Sequence, residues 1–535
     1  MIIYSKSSKL GFVNHNNHTY VYGKYLKESA FIMRKNTKIV AVLSAAALLA
    51  IGASLTSFAA KGWTPEGDQW YYYDNSGDYV TDSWKKSGNN YFYLGDEGYM
   101  LTDALIQDGD NYYYVDQNGA MVKSQWRQIA ADDSEAEDVE YRWYYFGSTG
   151  RAYRATSGMT KKTINGKKYA FDTEGKMLFG FVTEAGDMTN TNTDPVLEAD
   201  YYFGTNEDGA MYTGWLHYTE GVDDGDYDGE DSLWFYYSPS TGKKQVNADG
   251  KKIGKGTYRF DDKGVMKTGW QPETTDSDKT DNKYFSGDDE GWLRKNTWVY
   301  AVPSESINAD DNADDTQRWF YVGSDGKTVQ NHAKRVNSKW YIFDESGIMK
   351  TGLVVLNTDG ISVKSEIVKT IDEDEVDGDT LANDDKLGGT LYYFSEDEEK
   401  DGAMKTGSSI RVELADDVYT FGFNKNGSAY DGIKNNKLYK NGVLQTAGDM
   451  RYDAKAYKNE VYVVGTTGTV VKVKNVAKDA DDNYYAVKEE GKVAFFPAAD
   501  EASAAARAYA KGETTFKYDG KLEEVSKFEG TLVID

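Results

Sequence analysis

The chain has 535 residues, with 43 Tyr, 21 Phe and 12 Trp but only 6 Pro and no Cys. The lack of cysteine excludes disulfides, thiol nucleophiles and cysteine-ligated metals. A formal net charge of −26 argues against nucleic-acid binding, which needs Lys and Arg against phosphate. So many aromatic residues are not typical of a disordered chain, and they favour many short strands joined by turns.

Residues 33–59 have the layout of a secretory signal peptide. A basic start, an apolar run and small residues at a cleavage site follow in order: Arg34, Lys35 and Lys38; Ile39–Leu55; and Ser57-Phe58-Ala59. The apolar run is at the short end of what spans a bilayer, so a membrane anchor is the alternative. We predict cleavage before Ala60, which leaves a secreted protein with no stable membrane span. Residues 1–32 are interpreted as a mis-assigned start or an extended basic region.

A repeat begins with the stretch WYYYDNSG at Trp70–Gly77. An aromatic run is followed by a polar turn with a glycine, then often by Met and Thr-Gly. The turn glycine recurs thirteen times, at positions 77, 98, 119, 150, 175, 209, 242, 264, 291, 326, 347, 402 and 427. The first three are 21 residues apart, and the longer gaps carry acidic insertions. Repeats of this length indicate a solenoid or an array.

Each repeat is predicted to be a β-hairpin. Aromatic residues favour strands, and the Asp/Asn/Ser–Gly turn that would close the hairpin needs a positive φ at its glycine. Trp70 and Tyr72 should face one way, and Tyr71 and Tyr73 the other. Stacked hairpins would bury each other's aromatic faces, which accounts for stability without disulfides. We therefore expect an all-β solenoid of stacked hairpins over residues 60–432.

After Gly427 the repeat fades. We interpret residues 433–535 as degenerate repeats followed by a C-terminal cap, still mainly β. The Ala-rich stretch Ala498–Lys511 is predicted to be the one short helix, since Ala is the best helix former.

Specific words in the repeat resemble a known family. These are GWTPEGDQWYYY at Gly62–Tyr73, TGW at Thr213–Trp215 and Thr268–Trp270, and Gly-x-Met followed by Thr-Gly. Over roughly residues 61–432 the chain resembles the cell-wall-binding repeats, also called choline-binding repeats, and similar words occur in glucan-binding repeats. The resemblance implies a β-solenoid in which choline groups of teichoic acid lie between successive hairpins, boxed by two or three rings with a Met nearby.

Carried onto this chain, the resemblance implies three aromatic boxes and two flanking methionines: Trp63, Trp70 and Tyr72; Trp126, Trp143 and Tyr145; Trp215, Trp234 and Tyr236; and Met121 and Met211. Each ring face would contribute about 0.5–2 kcal/mol to holding a quaternary ammonium. Trp126 follows Gln125 rather than Gly, and acidic insertions lengthen several repeats. Polysaccharide stacking on the same rings, or a purely structural role for them, therefore stays open.

Catalysis finds little support in the sequence, since His217 and His332 are isolated within the repeats. No catalytic residue, cofactor or metal site is predicted. The expected function is non-covalent attachment of an exported, non-catalytic protein to the cell wall of a Gram-positive bacterium. The partner would be teichoic acid choline or a glucan-type polysaccharide, with no nucleic acid. The alternative is a structural spacer or adhesin whose repeats are only scaffold and whose C-terminal region meets the partner.

Overall fold

The computed structural model describes residues 61–131, 140–227, 232–273, 280–287, 290–396, 402–415 and 417–534. The expected signal peptide at 33–59 and residues 1–32 lie outside this description. The chain divides into two compact units: the first runs to Lys267 and includes Trp292, and the second holds Thr268–Gly287 and continues from Leu293. Within the described ranges, no helix has the length and apolar character needed to cross a membrane.

The described part of the first unit consists of antiparallel two-stranded hairpins. They are β1 (Gly62–Glu66) with β2 (Gln69–Tyr73), β3 (Ser83–Ser87) with β4 (Asn90–Leu94), β5 (Ala104–Asp108) with β6 (Asn111–Val115), β7 (Gln125–Ala130) with β8 (Tyr141–Phe146), β9 (Thr160–Ile164) with β10 (Lys167–Phe171), β11 (Phe181–Val182) with β12 (Tyr201–Tyr202), β13 (Gly214–Tyr218) with β14 (Leu233–Tyr237), and β15 (Ala248–Ile253) with β16 (Gly256–Phe260). The single-turn helix α1 (Pro195–Glu198) precedes β12.

The second unit begins with similar hairpins and then adds strands to them. The sheets are β17 (Gly269–Pro272) with β18 (Asp281–Phe285); β19 (Thr297–Ala301) with β20 (Arg318–Val322); β21 (Ala333–Val336), β22 (Lys339–Phe343) and β23 (Met349–Lys350); and β24 (Gly352–Leu356), β25 (Ile367–Thr370) and β26 (Thr390–Phe394). One five-stranded sheet contains β27 (Gly407–Glu413), β28 (Val418–Phe423), β29 (Gly432–Lys434), β30 (Lys437–Lys440) and β31 (Val443–Leu444).

The C-terminal part of the second unit continues the hairpins. It contains β32 (Tyr452–Tyr457) with β33 (Glu460–Gly465), the three-stranded sheet β34 (Asn475–Lys478), β35 (Tyr484–Val487) and β36 (Val493–Phe496), and β37 (Thr515–Tyr518) with β38 (Lys521–Glu524). Its helices are α2 (Ala309–Ala313), α3 (Gly378–Ala382) and α4 (Ala502–Ala510), with 3₁₀ turns at Gly448–Met450 and Val525–Lys527. The predicted all-β fold of stacked hairpins, with a degenerate C-terminal β region, is confirmed.

The helix expected within Ala498–Lys511 is α4, and α1, α2 and α3 are additional single turns inside insertions. Two of them begin at polar caps: the Asn308 side chain accepts a hydrogen bond from Asp311 N, and Asp377 accepts one from Thr380 N. Such caps satisfy backbone N–H groups at a helix start. The acidic insertions thus contain ordered turns that no periodic pattern in so short a segment could have revealed.

The longest ladder of each hairpin pairs the aromatic run with the segment before it. In the first hairpin Trp63 lies opposite Tyr72, and Pro65 opposite Trp70. The turn that contains the recurrent glycine comes after the run and returns the chain only for an isolated bridge, such as Leu94 to Met100. The expected positive φ is confirmed, with 87° at Gly77, 82° at Gly98 and 77° at Gly119. The main hairpin turn, however, lies upstream of the aromatic run rather than at this glycine.

Backbone hydrogen bonds join each hairpin to the next. The N–H two residues after the recurrent glycine donates to the carbonyl of the first aromatic residue of the preceding hairpin. The bonds from the methionines at this position are Met100 N to Trp70 O, Met121 N to Tyr91 O and Met177 N to Trp143 O, each 2.8 Å, and Met266 N to Trp234 O, 2.9 Å. Since backbone donors are rarely left unpaired, this bond fixes the register of stacking.

The methionine side chain makes a second link between repeats, because it lies on the recurrent glycine of the following hairpin. A Cβ built on Gly119 would lie 2.8 Å from Met100 Sδ. The same contact recurs at further pairs: Met121 with Gly150, Met177 with Gly209, Met211 with Gly242, Met266 with Gly291, and Met404 with Gly427. The glycine is therefore required both by its positive φ and by the sulfur that covers it.

Candidate functional site

The surface between one hairpin and the next, here called a joint and named by its first Trp, brings aromatic rings together. In the Trp126 joint, Trp126 on β7 lies opposite Tyr145 on β8, with ring centroids 5.2 Å apart. Trp143 shares that face and stands at 88° to Trp126, centroids 6.4 Å apart. The next hairpin adds Tyr169, 4.9 Å from Trp126, and the nearby Met177. The expected group of three rings is assembled, with a fourth from β10.

The Trp215 joint repeats this arrangement on β13 and β14. Trp215 lies 5.0 Å from Tyr236 and 6.3 Å from Trp234, whose ring is turned by 83°. From the next hairpin, Tyr258 lies 4.8 Å from Trp215, and Met266 belongs to the same cluster.

A third joint of this kind, at Trp298 in the second unit, was not predicted from the sequence. Trp298 lies 5.2 Å from Tyr321 and 6.1 Å from Trp319, whose ring is turned by 86°. Tyr341 of the next hairpin is 4.8 Å from Trp298, and Met349 packs against the same cluster. The three centroid distances agree within 0.3 Å across the three joints.

The glycine missing before Trp126 is replaced by another residue in the left-handed region. Ser124 has a φ of 52°, and Asn296 holds the same place before Trp298 with a φ of 49°. Asn in particular tolerates this conformation better than most side chains. The sequence signal for the Trp298 joint was therefore a small polar residue two positions before the Trp, rather than Gly directly before it.

Insertions do not separate the rings of a joint. The strands β19 and β20 are separated by residues 302–317, including α2, and yet Trp298 lies opposite Tyr321. Asp311 in this insertion is nearly buried and forms a two-point ion pair with Arg318, through bonds of 2.9 and 2.7 Å. The insertion lies at the hairpin tip, away from the rings, so the spacing of the joint is kept.

The Trp63 joint assembles its three predicted rings against a less aromatic neighbour. The Trp63 centroid is 5.4 Å from that of Tyr72, and Trp70 packs in the same cluster. The next hairpin supplies Phe92, 5.4 Å from Trp63, with aliphatic Leu94 where the other joints have a second ring. Fewer ring faces are available here than at Trp126.

Met121 and Met211 do not lie beside the rings with which the sequence analysis grouped them. Met121 packs in a different joint, whose Trp84 is 5.0 Å from Tyr93 and 5.1 Å from Tyr113. Met211 packs in a cluster with Ala170, Leu178, Val182, Tyr201 and Phe203. The reason is topological, because the methionine of a joint comes from the hairpin after the Trp rather than from the one before it.

The joints differ in how open they are. Trp126 and Trp143 are half-buried, whereas Trp234 is 5% exposed and is covered on one side by His217, stacked at 4.3 Å and 11°. Trp298 is half-buried like Trp126. Ligand access is therefore greatest at the Trp126 and Trp298 joints.

Comparison with known families gives the repeat a name. Residues 80–126 match the family model described as choline-binding repeat. The chain carries choline-binding repeats. The matched segment runs through β3 to β6 and ends at Trp126. None of the curated proteins matches the chain.

Solved structures with similar folds come from Streptococcus pneumoniae. CbpJ is 17% identical, with a TM-score of 0.35 over 65% of this chain and 99% of its own. Choline binding protein F, in the presence of a peptidoglycan analogue, is 18% identical, with a TM-score of 0.30 over 70% of this chain and 100% of its own. The modular autolysin LytC, in complex with a synthetic peptidoglycan ligand, is 17% identical, with a TM-score of 0.32 over 55% of this chain and 54% of its own. This chain therefore spans about half the length of LytC.

Proposed function

We propose that this is an exported, non-catalytic protein that attaches non-covalently to the cell wall through choline groups of a wall polymer. The observation that carries the proposal is the recurrence of one ring arrangement at Trp126, Trp215 and Trp298. Packing alone does not require two indoles and two phenols to keep the same angles in three joints that sit among different insertions. The family-model match over residues 80–126 supports choline as the group bound.

The rings suit a cation that cannot form hydrogen bonds. Near-perpendicular indoles offer two negative ring faces to one point, and each face supplies about 0.5–2 kcal/mol to a quaternary ammonium. A single joint would bind weakly by this estimate. Because the chain has several joints and a wall polymer repeats its choline groups, binding at one joint raises the effective concentration at the others.

Choline titration of the secreted protein, followed by tryptophan fluorescence, tests the proposal. Trp126→Ala, Trp215→Ala and Trp298→Ala should each remove part of the saturable response. The matched control is Trp340→Ala, because Trp340 packs among aliphatic residues of another cluster. A response to a glucan oligomer with none to choline would move the protein to the polysaccharide class. No response to either, with the fold intact, would favour the scaffold alternative, in which the C-terminal region meets the partner.

Export is a separate part of the proposal and rests on the sequence of residues 33–59. N-terminal sequencing of the extracellular protein should begin at or near Ala60. Recovery of intact residues 33–59 outside the cell would contradict cleavage. We also propose that residues 60–432 form the binding array and residues 433–535 the degenerate repeats and cap.

A further inference from the structure

A lysine lies directly across the hairpin from the tyrosine that the second hairpin adds to each joint. The paired positions are Lys162 with Tyr169, Lys251 with Tyr258, and Lys334 with Tyr341, and Lys85 is likewise opposite Phe92 in the Trp63 joint. Directly opposite residues of an antiparallel pair project from the same face. Each lysine therefore leaves its strand on the side of the joint.

The lysine ammonium groups reach the rings themselves. Lys334 Nζ is 6.0 Å from the ring centroid of Tyr321, which is one of the rings of the Trp298 joint. Lys85 Nζ is 5.1 Å from that of Tyr72 in the Trp63 joint. The charges lie at the rims of the joints rather than out in solvent.

None of these lysines forms a salt bridge with a residue that the structure describes. Acidic side chains are nevertheless abundant, with 87 Asp and Glu against 61 Lys and Arg. Lysines elsewhere use them: Lys167 pairs with Asp208 at 2.9 Å, and Lys478 with Asp482 at 2.6 Å. The lysines at the joints thus keep their charge available for a ligand.

A positive charge at the rim disfavours a bare cation in the rings but favours a ligand that carries an anion beside its ammonium. Resting on the proposed function, we infer that the joints recognise a zwitterion, a quaternary ammonium linked through a short alkyl bridge to a phosphate. The rings hold the ammonium, and Lys85, Lys162, Lys251 and Lys334 hold the phosphate. Lysine suits this role because its compact ammonium acts as a point charge toward phosphate.

The competing reading is that each lysine occupies the ring site itself, as an internal substitute for the ligand. The two readings give opposite results when the charge is removed. A lysine that holds phosphate strengthens phosphocholine binding, so its loss weakens that binding. A lysine that occupies the rings blocks both ligands, so its loss strengthens the binding of both.

The experiment compares phosphocholine with choline chloride on the full secreted chain, by calorimetry at low salt. The wild type should bind phosphocholine about tenfold more tightly than choline, and added NaCl should reduce this preference. In the triple variant Lys162→Gln, Lys251→Gln and Lys334→Gln, phosphocholine affinity should fall to that of choline, with choline affinity unchanged. The matched control replaces exposed lysines outside the joints, Lys252→Gln, Lys255→Gln and Lys295→Gln, and should keep the preference.

Equal affinity of the wild type for both ligands, or tighter binding of both by the triple variant, would overturn this inference alone. Failure of the wild type to bind either ligand would overturn the proposed function and this inference together. Phosphatidylcholine vesicles and purified choline-bearing walls, offered separately, distinguish the two sources of the group. Sedimentation with the walls, reversed by phosphocholine, is expected. Sedimentation with vesicles alone would support zwitterion recognition and overturn attachment to the wall.

Discussion

The sulfur of Met121 lies over Gly150, the recurrent glycine of the following hairpin, and leaves no room there for a Cβ. Gly150 also has a φ of 84°, which L side chains rarely adopt. Two independent requirements therefore meet at one glycine, and the contact recurs along the chain between other methionines and glycines. It couples the packing of a hairpin to the turn of its neighbour.

Gly150→Ala should destabilise the first unit by about 2–4 kcal/mol, because left-handed strain adds to displacement of the Met121 side chain. Urea unfolding followed by tryptophan fluorescence measures the loss. Gly166→Ala is the matched control, since Gly166 has a φ of 83° and a Cβ added there would meet no atom within 4 Å. It should show only the strain, about 1 kcal/mol. Equal losses in the two variants would mean that the methionine contact contributes nothing.

Substitutions at Trp70 test whether the half-buried rings of the Trp63 joint bind a cation. Trp70→Ala should weaken choline binding at this joint by about 0.5–2 kcal/mol, and Trp70→Phe should retain more of it, because one ring face survives. Calorimetric titration of both variants, with circular dichroism as a check on the fold, gives the comparison. If Phe and Ala reduced choline binding equally without unfolding, the ring face at position 70 would have no part in the site.

Glu373 makes stability depend on pH. It lies in a cleft of about 550 Å³ in the second unit, and its carboxylate accepts a hydrogen bond of 2.6 Å from Leu353 N. Burial, with Glu396 nearby, raises the pKa of Glu373 from 4.5 to about 7. The folded chain thus holds this proton more tightly than the unfolded chain, so the stabilisation is complete below about pH 4.5 and is lost as the pH rises through about 7.

Glu373→Gln should therefore flatten the decline in melting temperature between pH 4.5 and 7. Because Glu373 is only partly buried, the gain at pH 7 should be about 1 kcal/mol, well below the value for a fully desolvated carboxyl. The exposed neighbour Glu375 provides the control as Glu375→Gln, which should leave the pH profile unchanged. A profile for Glu373→Gln that followed the wild type would contradict this role for the Glu373 carboxyl.

The proposed boundary at residue 432 can be tested by truncation. β31 pairs with β28 through Val443 and Phe421, and Asn441 Nδ2 donates to Leu381 O at 3.0 Å. A chain ending at 447 keeps these contacts and should show β-rich circular dichroism with a melting transition close to that of the full chain. A chain ending at 432 should melt at a lower temperature, because the cluster around Phe421 loses its Val443 cover. Similar melting of the two truncations would show that β29 to β31 add little to the array.

The sequence predicted what depends on local chemistry. The recurrent glycines revealed their positive φ, and the alternation of Trp70 with Tyr71 revealed two faces, since both follow from backbone geometry. The partners across a joint were harder, because they depend on which hairpin follows. Met177, rather than Met121, therefore packs beside Trp126. The Trp298 joint was missed because Asn296 performs there what glycine performs elsewhere.

Every joint takes its indoles from one hairpin and its added tyrosine and methionine from the next, so a joint belongs to no single repeat. The unit that a duplication copies and the unit that binds are offset from each other. Excision of one complete repeat by recombination would bring together half-joints whose residues already have matching roles. Such a gene can change the number of wall contacts by gaining or losing whole repeats, and each change leaves the remaining contacts ready to form.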